Sequence, residues 1–411
     1  MSPTATLPDR ETPSVRLQLI RGLAPPRVLH VVPSLHGGGM ERALVGLMEG
    51  FDHRGQRQEQ PDLEHGVCVL GGGDADLLER CRSSAATFVL SAPGDRPTRR
   101  RARRQLREVI ASFEPDVVHA RTTAVWFDAA WVTYRDPRTR LVLSFHGRTH
   151  LGQPGRLRRW IHRWACGRAD AVLSVSHDAG RMLHAEWGIP RRKIHVIHNG
   201  VDTERFTPVG PADKTGLHLP PRSPSDHVVI CVANLHEIKA IDVLLDHWRR
   251  VVMADPHAVL WLVGEGPLHE SLVRQAGRLR IAERVRFLGR RDDVPALLRA
   301  ADLFVLPSRY EAGSNATLEA MASGLPVVAF DVGGMRELIQ PNHTGWLIPE
   351  NEPHRLADTV LAALIDRATR QRTGQAARRA VLEQHDMNHW IDRYATLYRH
   401  LAERGTPACA E

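Results

Sequence analysis

Short apolar runs separated by longer amphipathic stretches recur along most of the chain. In the first half this pattern predicts strands at residues 28–32, 67–70, 117–120, 141–146 and 171–175. A second series follows at residues 228–233, 259–263, 285–288, 303–306 and 326–329. Strands that alternate with helical segments are typical of a parallel sheet covered by helices. The sequence therefore predicts an α/β protein with two such sheets.

A polar, proline-rich break at residues 206–226 separates the two series. We therefore place a first domain at residues 27–206 and a second at residues 207–385. Apolar positions on one helical face predict a last helix at about residues 388–401, with Trp390, Tyr394, Leu397, Tyr398 and Leu401 on that face. We expect disorder in residues 1–26 and after Arg404.

Composition is that of a globular protein, with 411 residues, 42% hydrophobic and 25% charged. No run of 18 apolar residues occurs, and the first 26 residues lack an apolar run of signal-peptide length, so we expect a cytoplasmic protein. The five cysteines, Cys68, Cys81, Cys166, Cys231 and Cys409, are scattered and lack metal-ligand spacing. This argues against a disulfide framework or a zinc site and predicts buried or inert thiols.

The net charge of +8 is concentrated in two parts of the first domain. Arg99, Arg100, Arg101, Arg103, Arg104 and Arg107 adjoin an apolar helical stripe of Ala102, Leu106, Val109, Ile110 and Phe113, and a second patch contains Arg156, Arg158, Arg159, Trp160, Arg163 and Trp164. Two interpretations stay open: contact with an anionic membrane, or solvated faces of packed helices. No recognition motif accompanies the charge, so we expect no nucleic-acid partner.

Residues that could bind a ligand or act in catalysis are concentrated just after the predicted strand at 303–306. Glu311 and Glu319 lie eight positions apart across a loop that leads into a helix. Gly313 would allow close backbone approach, and Ser314 or Asn315 would cap a helix whose free N–H groups favour phosphate. We place Glu319 in the first turn, where it could hold ribose hydroxyls. In the alternative, Glu319 only complements the helix dipole and Glu311 is a solvated loop residue.

Four stretches, in this order along the chain, resemble retaining glycosyltransferases of family 4. They are the strand and glycine loop at 29–41 with Gly37, Gly38 and Gly39, the segment at 196–202, the strand and turn at 262–267, and the Glu-x7-Glu pattern at 311–319. The resemblance spans roughly residues 27–400. It implies the GT-B fold, in which two Rossmann-like domains face each other across a cleft. It also implies that a C-terminal helix, here 386–404, crosses back to an acceptor-binding first domain.

The resemblance, together with the strand and loop positions, assigns the site. Glu311, His146 and Lys239 are the expected catalytic residues; the expected donor-binding residues are Gly38, Gly39, Asn234, Lys239, Gly264, Arg290, Glu311, Gly313, Ser314, Asn315 and Glu319. Lys239 would neutralise the leaving diphosphate, whereas His146, followed by Gly147 and Arg148, matches a position that contacts the donor sugar. Lys239 could instead be a surface lysine, His146 a satisfied core histidine, and the glycine loop a simple tight turn.

Two positions depart from the commoner family pattern. Asn234 stands where the family usually has an arginine, and Ala240 where it has a glycine. One of the two usual phosphate cations is therefore missing. Either Lys239 and the helix N–H groups suffice, or Arg309 or Arg290 compensates, and the sequence leaves this open.

The expected activity is transfer of a hexose from a nucleotide diphosphate sugar to a hydroxyl of a glycan or lipid-linked acceptor, with retention of configuration. The leaving diphosphate would itself accept the acceptor's proton. We expect that no Asp-x-Asp cluster presents paired acids for a metal, and that lysine and the helix dipole supply the positive charge, so we expect no metal or other cofactor. Two alternatives are a GT-B epimerase that converts a nucleotide sugar, and a non-catalytic sugar-nucleotide binder. The protein would act at the cytoplasmic face of a membrane, in polysaccharide or glycoconjugate synthesis.

Overall fold

A computed structural model describes residues 24–57, 62–91, 98–147, 155–208, 219–220 and 223–403. The predicted disordered segments lie almost wholly outside these residues, as do Arg148, Cys409 and most of the predicted linker. The boundaries between the domains therefore stay predictions.

The first sheet contains seven parallel strands. They are β1 (Arg27–Val32), β2 (Glu64–Val69), β3 (Ala86–Val89), β4 (Val117–Ala120), β5 (Arg140–Phe145), β6 (Ala171–Ser174) and β7 (Ile194–Val196). Their order is β3-β2-β1-β4-β5-β6-β7. Strand order reverses at β1, which pairs with both β2 and β4. Such a reversal creates a crevice at the carboxyl ends of the strands.

Within the described residues, six helices follow strands of this sheet along the chain. They are α1 (Gly39–Arg57), α2 (Ala75–Ser84), α3 (Arg99–Phe113), α4 (Thr123–Thr133), α5 (Arg156–Arg168) and α6 (His177–Trp187). The apolar stripe of α3 faces the core, where Ala102, Leu106, Val109 and Phe113 are buried. This side of α3 therefore cannot insert into a membrane, which removes part of the basis for the membrane interpretation.

The second sheet repeats the design with six parallel strands. They are β8 (His227–Val232), β9 (Ala258–Val263), β10 (Val285–Gly289), β11 (Leu303–Leu306), β12 (Val327–Phe330) and β13 (Gly345–Ile348), in the order β10-β9-β8-β11-β12-β13. Its helices are α7 (Ile241–Ala254), α8 (His269–Arg278), α9 (Val294–Ala300), α10 (Asn315–Ala322), α11 (Met335–Leu338), α12 (Arg355–Ile365) and α13 (Arg367–Gln384).

The last helix, α14 (Met387–Glu403), returns to the first domain and packs on α1. Trp390, Tyr394 and Tyr398 are buried in a cluster with residues of α1 and β1. The Tyr398 hydroxyl also lies 2.7 Å from His119 Nδ1 of β4. Two Rossmann-like domains and a helix that crosses back confirm the predicted fold class.

All ten predicted strands are present, and three further strands were missed. These three, β3, β7 and β13, are edge strands. Each is only three or four residues long and partly exposed, so its apolar pattern is weak. The described cysteines, Cys68, Cys81, Cys166 and Cys231, are buried and unpaired, and burial raises the pKa of Cys68, Cys166 and Cys231 to about 12. Within the described residues, no helix is both long and apolar enough to cross a membrane.

Candidate active site

A cleft of about 1180 Å³ opens between the two sheets. Every predicted site residue lines it: Gly38, Gly39, His146, Asn234, Lys239, Gly264, Arg290, Glu311, Gly313, Ser314, Asn315 and Glu319. Parallel strands present their carboxyl ends at one edge of a sheet, which brings these loops together from distant parts of the chain. Their roles toward a ligand stay predictions.

Glu311 is held rigidly at the centre of the cleft. Its side chain accepts hydrogen bonds from Ser308 Oγ at 2.7 Å and from Lys239 Nζ at 2.6 Å, and the residue is only 7% exposed. Its backbone carbonyl accepts the N–H of Gly334 at 2.8 Å. Gly333 has a φ of +53°, and a Cβ there would overlap that carbonyl. Glu311 is therefore not a solvated loop residue.

Helix α10 begins inside the cleft and links both domains. Ser314 is its cap, because its Oγ accepts the N–H of Thr317 at 3.2 Å. The other predicted cap, Asn315, has a different task. Its Nδ2 donates to the Gly39 carbonyl at 2.8 Å, and its Oδ1 accepts from Asn199 Nδ2 at 2.7 Å. Asn315 thus joins α10 to the glycine loop and to the segment between the domains.

Glu319 lies in the second turn of α10, not the first as predicted, because the helix begins at Asn315. At that position it no longer complements the helix dipole, whose effect fades beyond the first turn. Burial raises the pKa of Glu319 to about 7, although the charges of Arg205 and Arg42 act to lower it. Besides Glu311, the cleft therefore contains a carboxyl group whose pKa is raised to about 7 by burial.

Lys239 ends a short 3-10 turn, Glu237–Lys239, that follows β8. The next residue, Ala240, has φ +48° and ψ +41°, a left-handed conformation that favours glycine. The glycine that the family resemblance leads us to expect here would adopt this conformation without strain. Arg309 supports the turn from outside, donating to the Glu237 carbonyl at 2.9 Å and to Asp242 at 3.3 Å. It does not line the cleft, so it cannot replace the missing phosphate cation.

Arg290 lies beside the glycine loop and forms an ion pair with Asp74 of the first domain. A Cβ on Gly37, whose φ is +76°, would come within 2.8 Å of Arg290 Nη2. The same nitrogen is 2.6 Å from Asp74 Oδ2. Although burial acts to raise it, the hydrogen bond and charge of Arg290 lower the pKa of Asp74. Of the two candidate replacement cations, only Arg290 faces the cleft, and a phosphate there would compete with Asp74.

Two further features of this wall were missed by the predictions. Arg42 pairs with Asp292 at 3.3 Å, so a second ion pair crosses the mouth of the cleft. Asp74 and Asp76 form an Asp-x-Asp pair in the first domain that our predicted site omits. The structure gives these two acids arginine partners, Arg290 for Asp74 and Arg80, at 3.8 Å, for Asp76.

His146 follows β5 and approaches the Glu311 loop. A Cβ on the next residue, Gly147, would meet the Ala312 Cβ at 3.1 Å, so the two loops touch. Burial, and then the charge of Arg121, lower the pKa of His146 to about 3, so the ring is neutral near pH 7. Its Nε2 has no hydrogen-bond partner among the described residues, whereas a buried core histidine normally has one. A neutral imidazole can both donate and accept a hydrogen bond.

Glu337 joins the domains beside the cleft and was also missed. Its carboxylate accepts the N–H groups of His177 and Asp178 at 2.7 and 2.8 Å, and His198 Nε2 lies 2.9 Å away. Although burial acts to raise it, these bonds lower the pKa of Glu337 to about 2. Within the described residues, His177, His198 and Glu337 are the set of possible metal ligands that lie together, and none of them lines the cleft.

Two Rossmann-like domains that enclose acidic, basic and glycine-rich loops in a shared cleft define the GT-B class of protein. Residues 37–205 match the profile described as Glycosyltransferase Family 4, and residues 226–366 match that of Glycosyl transferases group 1. The chain is 31% identical over 264 residues to N-acetyl-alpha-D-glucosaminyl L-malate synthase of Bacillus anthracis, covering 64% of this chain and 68% of that one. The protein belongs to glycosyltransferase family 4.

Two further comparisons agree. A GDP-mannose-dependent alpha-(1-6)-phosphatidylinositol monomannoside mannosyltransferase of Mycobacterium tuberculosis is 32% identical over 276 residues, covering 63% of this chain and 71% of that one. HepE of Anabaena, solved with UDP and glucose, superposes with a TM-score of 0.76 at 21% identity, covering 91% of this chain and all of HepE. This structural likeness establishes the shared fold.

Proposed function

We propose that this glycosyltransferase moves a hexose from a nucleotide diphosphate sugar to a hydroxyl of a glycan or lipid-linked acceptor, with retention of configuration. The observation that carries the proposal is the position of Glu311, which lies in the cleft with Lys239 and Ser308 on its carboxylate. The name of the GDP-mannose-dependent relative and the UDP and glucose bound to HepE support a sugar-nucleotide donor.

In this proposal the donor spans the cleft. Its diphosphate lies beside Lys239 and the first N–H groups of α10, which neutralise the charge that develops on the leaving group. Glu311 holds hydroxyls of the transferred sugar, and the neutral imidazole of His146 hydrogen-bonds the same sugar from the first domain. Glu319, one turn further along α10, holds ribose hydroxyls. The positively charged groups thus lie beside the diphosphate, and the carboxylates and the imidazole lie beside hydroxyl groups.

Two kinds of mechanism would retain the configuration, and the hydrogen bonding of Glu311 favours one of them. A double displacement needs a carboxylate whose free oxygen can attack the anomeric carbon. The hydrogen bond from Ser308 and the ion pair with Lys239, both to Oε1, make the Glu311 carboxylate a weaker nucleophile and favour a role in holding hydroxyls. The alternative is that the departing diphosphate takes the acceptor's proton on the same face of the sugar. The acceptor hydroxyl then bonds to the anomeric carbon as the bond to the phosphate oxygen breaks.

We expect catalysis without a metal because Lys239 and the α10 N-terminus supply positive charge at the diphosphate. Donor hydrolysis should therefore persist in EDTA. A strict requirement for added magnesium or manganese would show that the Asp74–Asp76 pair, or another group, holds an essential ion.

The test of the proposed function is incubation of the purified protein with UDP-, GDP- and ADP-sugars. Slow release of free sugar and nucleotide from one donor is the expected result, and NMR of the first-formed sugar should show the donor's own anomeric configuration. A new sugar nucleotide would indicate an epimerase. Tight binding without turnover would indicate a non-catalytic binder. This outcome is worth testing because Asn234 stands where the family pattern has an arginine.

We also propose contact with an anionic membrane at its cytoplasmic face, through the first domain. Arg99, Arg100, Arg104 and Arg107 of α3 are exposed, although the apolar stripe of that helix is not. Exposed aromatic side chains come instead from α4, its C-cap and α5, where Trp131, Tyr134 and Trp160 are 50%, 52% and 64% exposed. Cations beside exposed aromatic rings are typical of surfaces that meet the membrane interface.

A further inference from the structure

A row of buried polar side chains crosses four strands of the first sheet. It consists of His65 of β2, His30 of β1, His119 of β4 and Ser144 of β5. Tyr398 of α14 covers the row, with its ring 5.9 Å from that of His30 and 5.8 Å from that of His119. Burial of polar groups costs stability that apolar side chains would not, so packing alone does not account for the row.

Arg121 sets the direction of the hydrogen bonds in this row. It is fully buried just after β4, and its Nη1 lies 3.3 Å from His119 Nδ1. Burial, and then the charge of Arg121, lower the pKa of His119, so the ring is neutral. A guanidinium group can only donate, so Nδ1 of His119 is the acceptor and Nε2 carries the proton. His119 therefore accepts a hydrogen bond at Nδ1 and donates one at Nε2.

Two consecutive hydrogen bonds join α14 to β5. The Tyr398 hydroxyl, 2.7 Å from His119 Nδ1, donates to that nitrogen, and the Nε2–H of His119 donates to Ser144 Oγ. Ser144 is also held through its backbone, because Trp126 Nε1 of α4 donates to the Ser144 carbonyl at 3.1 Å. The side chain and the main chain of Ser144 are therefore both fixed by neighbouring elements.

This hydrogen-bonded chain ends two residues before His146. Residues two apart along a strand point to the same face, and His146 directly follows the end of β5. The charge of Arg121 acts on both His119 and His146, which places the two rings near the same guanidinium group. The Nε2 of His146 makes no hydrogen bond among the described residues, so the position of this ring depends on the backbone that carries it.

We propose that Tyr398 and His119 are positioning residues that hold His146 in place for glycosyl transfer. This role rests on the proposed function, in which His146 hydrogen-bonds the transferred sugar. Neither Tyr398 nor His119 lines the cleft, so both act through Ser144 and not on the donor itself. Supporting hydrogen bonds of this kind keep a reacting group within the ~0.5 Å that productive geometry requires. The helix that crosses back from the second domain thus helps to complete the site in the first.

Tyr398→Phe tests the role, because it removes one hydroxyl and keeps the ring. Turnover of the donor should fall about tenfold as the end of β5 loses its support, while calorimetry shows unchanged affinity for the free nucleoside diphosphate. Ser144→Ala breaks the chain at its other end and should have the same effect. The matched control is Tyr394→Phe, which removes a hydroxyl from the same buried face of α14 and leaves the chain intact. Its turnover should equal that of wild type.

A double-mutant cycle separates positioning from a purely structural role. Tyr398→Phe leaves a buried nitrogen of His119 without its partner, so the protein should also unfold at a lower denaturant concentration. In a His146→Ala background, Tyr398→Phe should lower turnover by less than about twofold, because the effect on catalysis acts through the missing ring. Hydrogen exchange at the end of β5 should rise in Tyr398→Phe and stay unchanged in Tyr394→Phe.

Three results would overturn the positioning role, and they can be told apart. Turnover of Tyr398→Phe and Ser144→Ala within about twofold of wild type would limit the chain to stability and leave the proposed function intact. An equal loss with and without the His146 ring would show that the hydroxyl acts on another group. Absence of donor hydrolysis in wild type would contradict the proposed function, and the positioning role would then be wrong with it.

Discussion

Lys239 Nζ lies 2.6 Å from Glu311 Oε1, so the expected phosphate cation and the expected sugar-binding carboxylate form one ion pair. Both side chains are largely shielded, at 24% and 8% exposed. Shielding strengthens the attraction and makes it costly to leave either charge unpaired. A bound diphosphate would share Lys239 with Glu311. Substitution of either residue therefore acts on both, and the tests must separate the two roles.

Glu311→Gln should lower turnover of the donor by at least a hundredfold while nucleotide affinity changes little. The amide keeps the shape but loses the charge that holds sugar hydroxyls most strongly in the transition state. Donor hydrolysis and calorimetry with the free nucleoside diphosphate measure the two effects. Glu237→Gln is the matched control, because Glu237 is an exposed carboxylate of the adjacent turn outside the cleft. Activity of Glu311→Gln within about threefold of wild type, under roughly 0.7 kcal/mol, would refute the role.

Lys239→Met should weaken binding of the nucleoside diphosphate about 10- to 150-fold. A charge-assisted hydrogen bond is worth roughly 1.5–3 kcal/mol, and each 1.4 kcal/mol is about tenfold in affinity. Asn234→Ala should cost much less, because an amide carries no charge. Calorimetry with the nucleotide measures both variants.

The ion pair offers a way to show that Lys239 contacts phosphate and does not merely neutralise Glu311. In a Glu311→Gln background, Lys239 has no carboxylate to compensate, so any remaining loss of nucleotide affinity on Lys239→Met comes from the ligand. We expect that loss to be about as large as in wild type. If it disappears in this background, Lys239 serves Glu311 alone.

The fold could be predicted because its strands are mostly buried on both faces. Strands such as β4 and β11 are continuous apolar runs with clear ends, and their alternation with helices indicates a parallel sheet. The three missed edge strands, β3, β7 and β13, escaped prediction for the converse reason, since they are short and partly exposed. Glu319 was placed one turn too early although Ser314 was correctly named as a possible cap, because a helix that begins at Asn315 has reached its second turn at Glu319.

The contacts between the domains could not be predicted. Asn315 and Gly39 are 276 residues apart, and Arg290 and Asp74 are 216 apart, and no local pattern connects them. Glu337 looks like an ordinary helix residue in sequence, yet it holds the N-terminus of α6. Residues that resemble a known motif were found, whereas those that act only through the packing of one domain on the other were missed.

Nucleotide affinity should rise with pH through about 7 if Glu319 holds ribose hydroxyls. Burial raises the pKa of Glu319 to about 7 in the free protein, so the carboxylate, the better acceptor, is lost as pH falls below that value. The nucleotide's own phosphates also titrate, and comparison with Glu319→Gln removes their contribution. The affinity ratio of wild type to Glu319→Gln should increase between pH 6 and 8. A constant ratio would indicate that Glu319 does not contact the ligand.

Ala240→Gly should stabilise the protein only slightly, by less than about 1 kcal/mol. Ala240 has a left-handed backbone, with φ +48°, which costs a residue with a Cβ roughly 1–2 kcal/mol, partly offset by the greater chain entropy that glycine loses on folding. Its side chain is fully buried, so the lost methyl group subtracts from the gain. Denaturant unfolding measures the difference. A clear loss of stability would show that methyl packing outweighs the backbone strain and that the alanine is favoured here.

Replacement of Arg99, Arg100, Arg104 and Arg107 by Gln should release the protein from anionic vesicles. All four are exposed, and Arg103 is spared because it pairs with buried Asp128 at 2.6 Å. Each near-surface cation contributes ~1 kcal/mol, so the affinity should fall on the order of a thousandfold. Wild-type binding should also weaken as salt rises, since the attraction decays over a Debye length of ~8 Å at physiological ionic strength.

The control for this variant removes the same charge from the second domain. Arg249, Arg278, Arg367 and Arg379 are exposed there, and their replacement by Gln lowers the net charge equally. This control should keep vesicle binding, and both variants should hydrolyse a soluble donor as wild type does. If the two variants lose binding equally, the attraction reflects total charge and not the α3 surface. Failure of the wild type to bind anionic vesicles even in low salt would make these arginines a solvated helix face, and the case for a lipid-linked acceptor would then lack physical support.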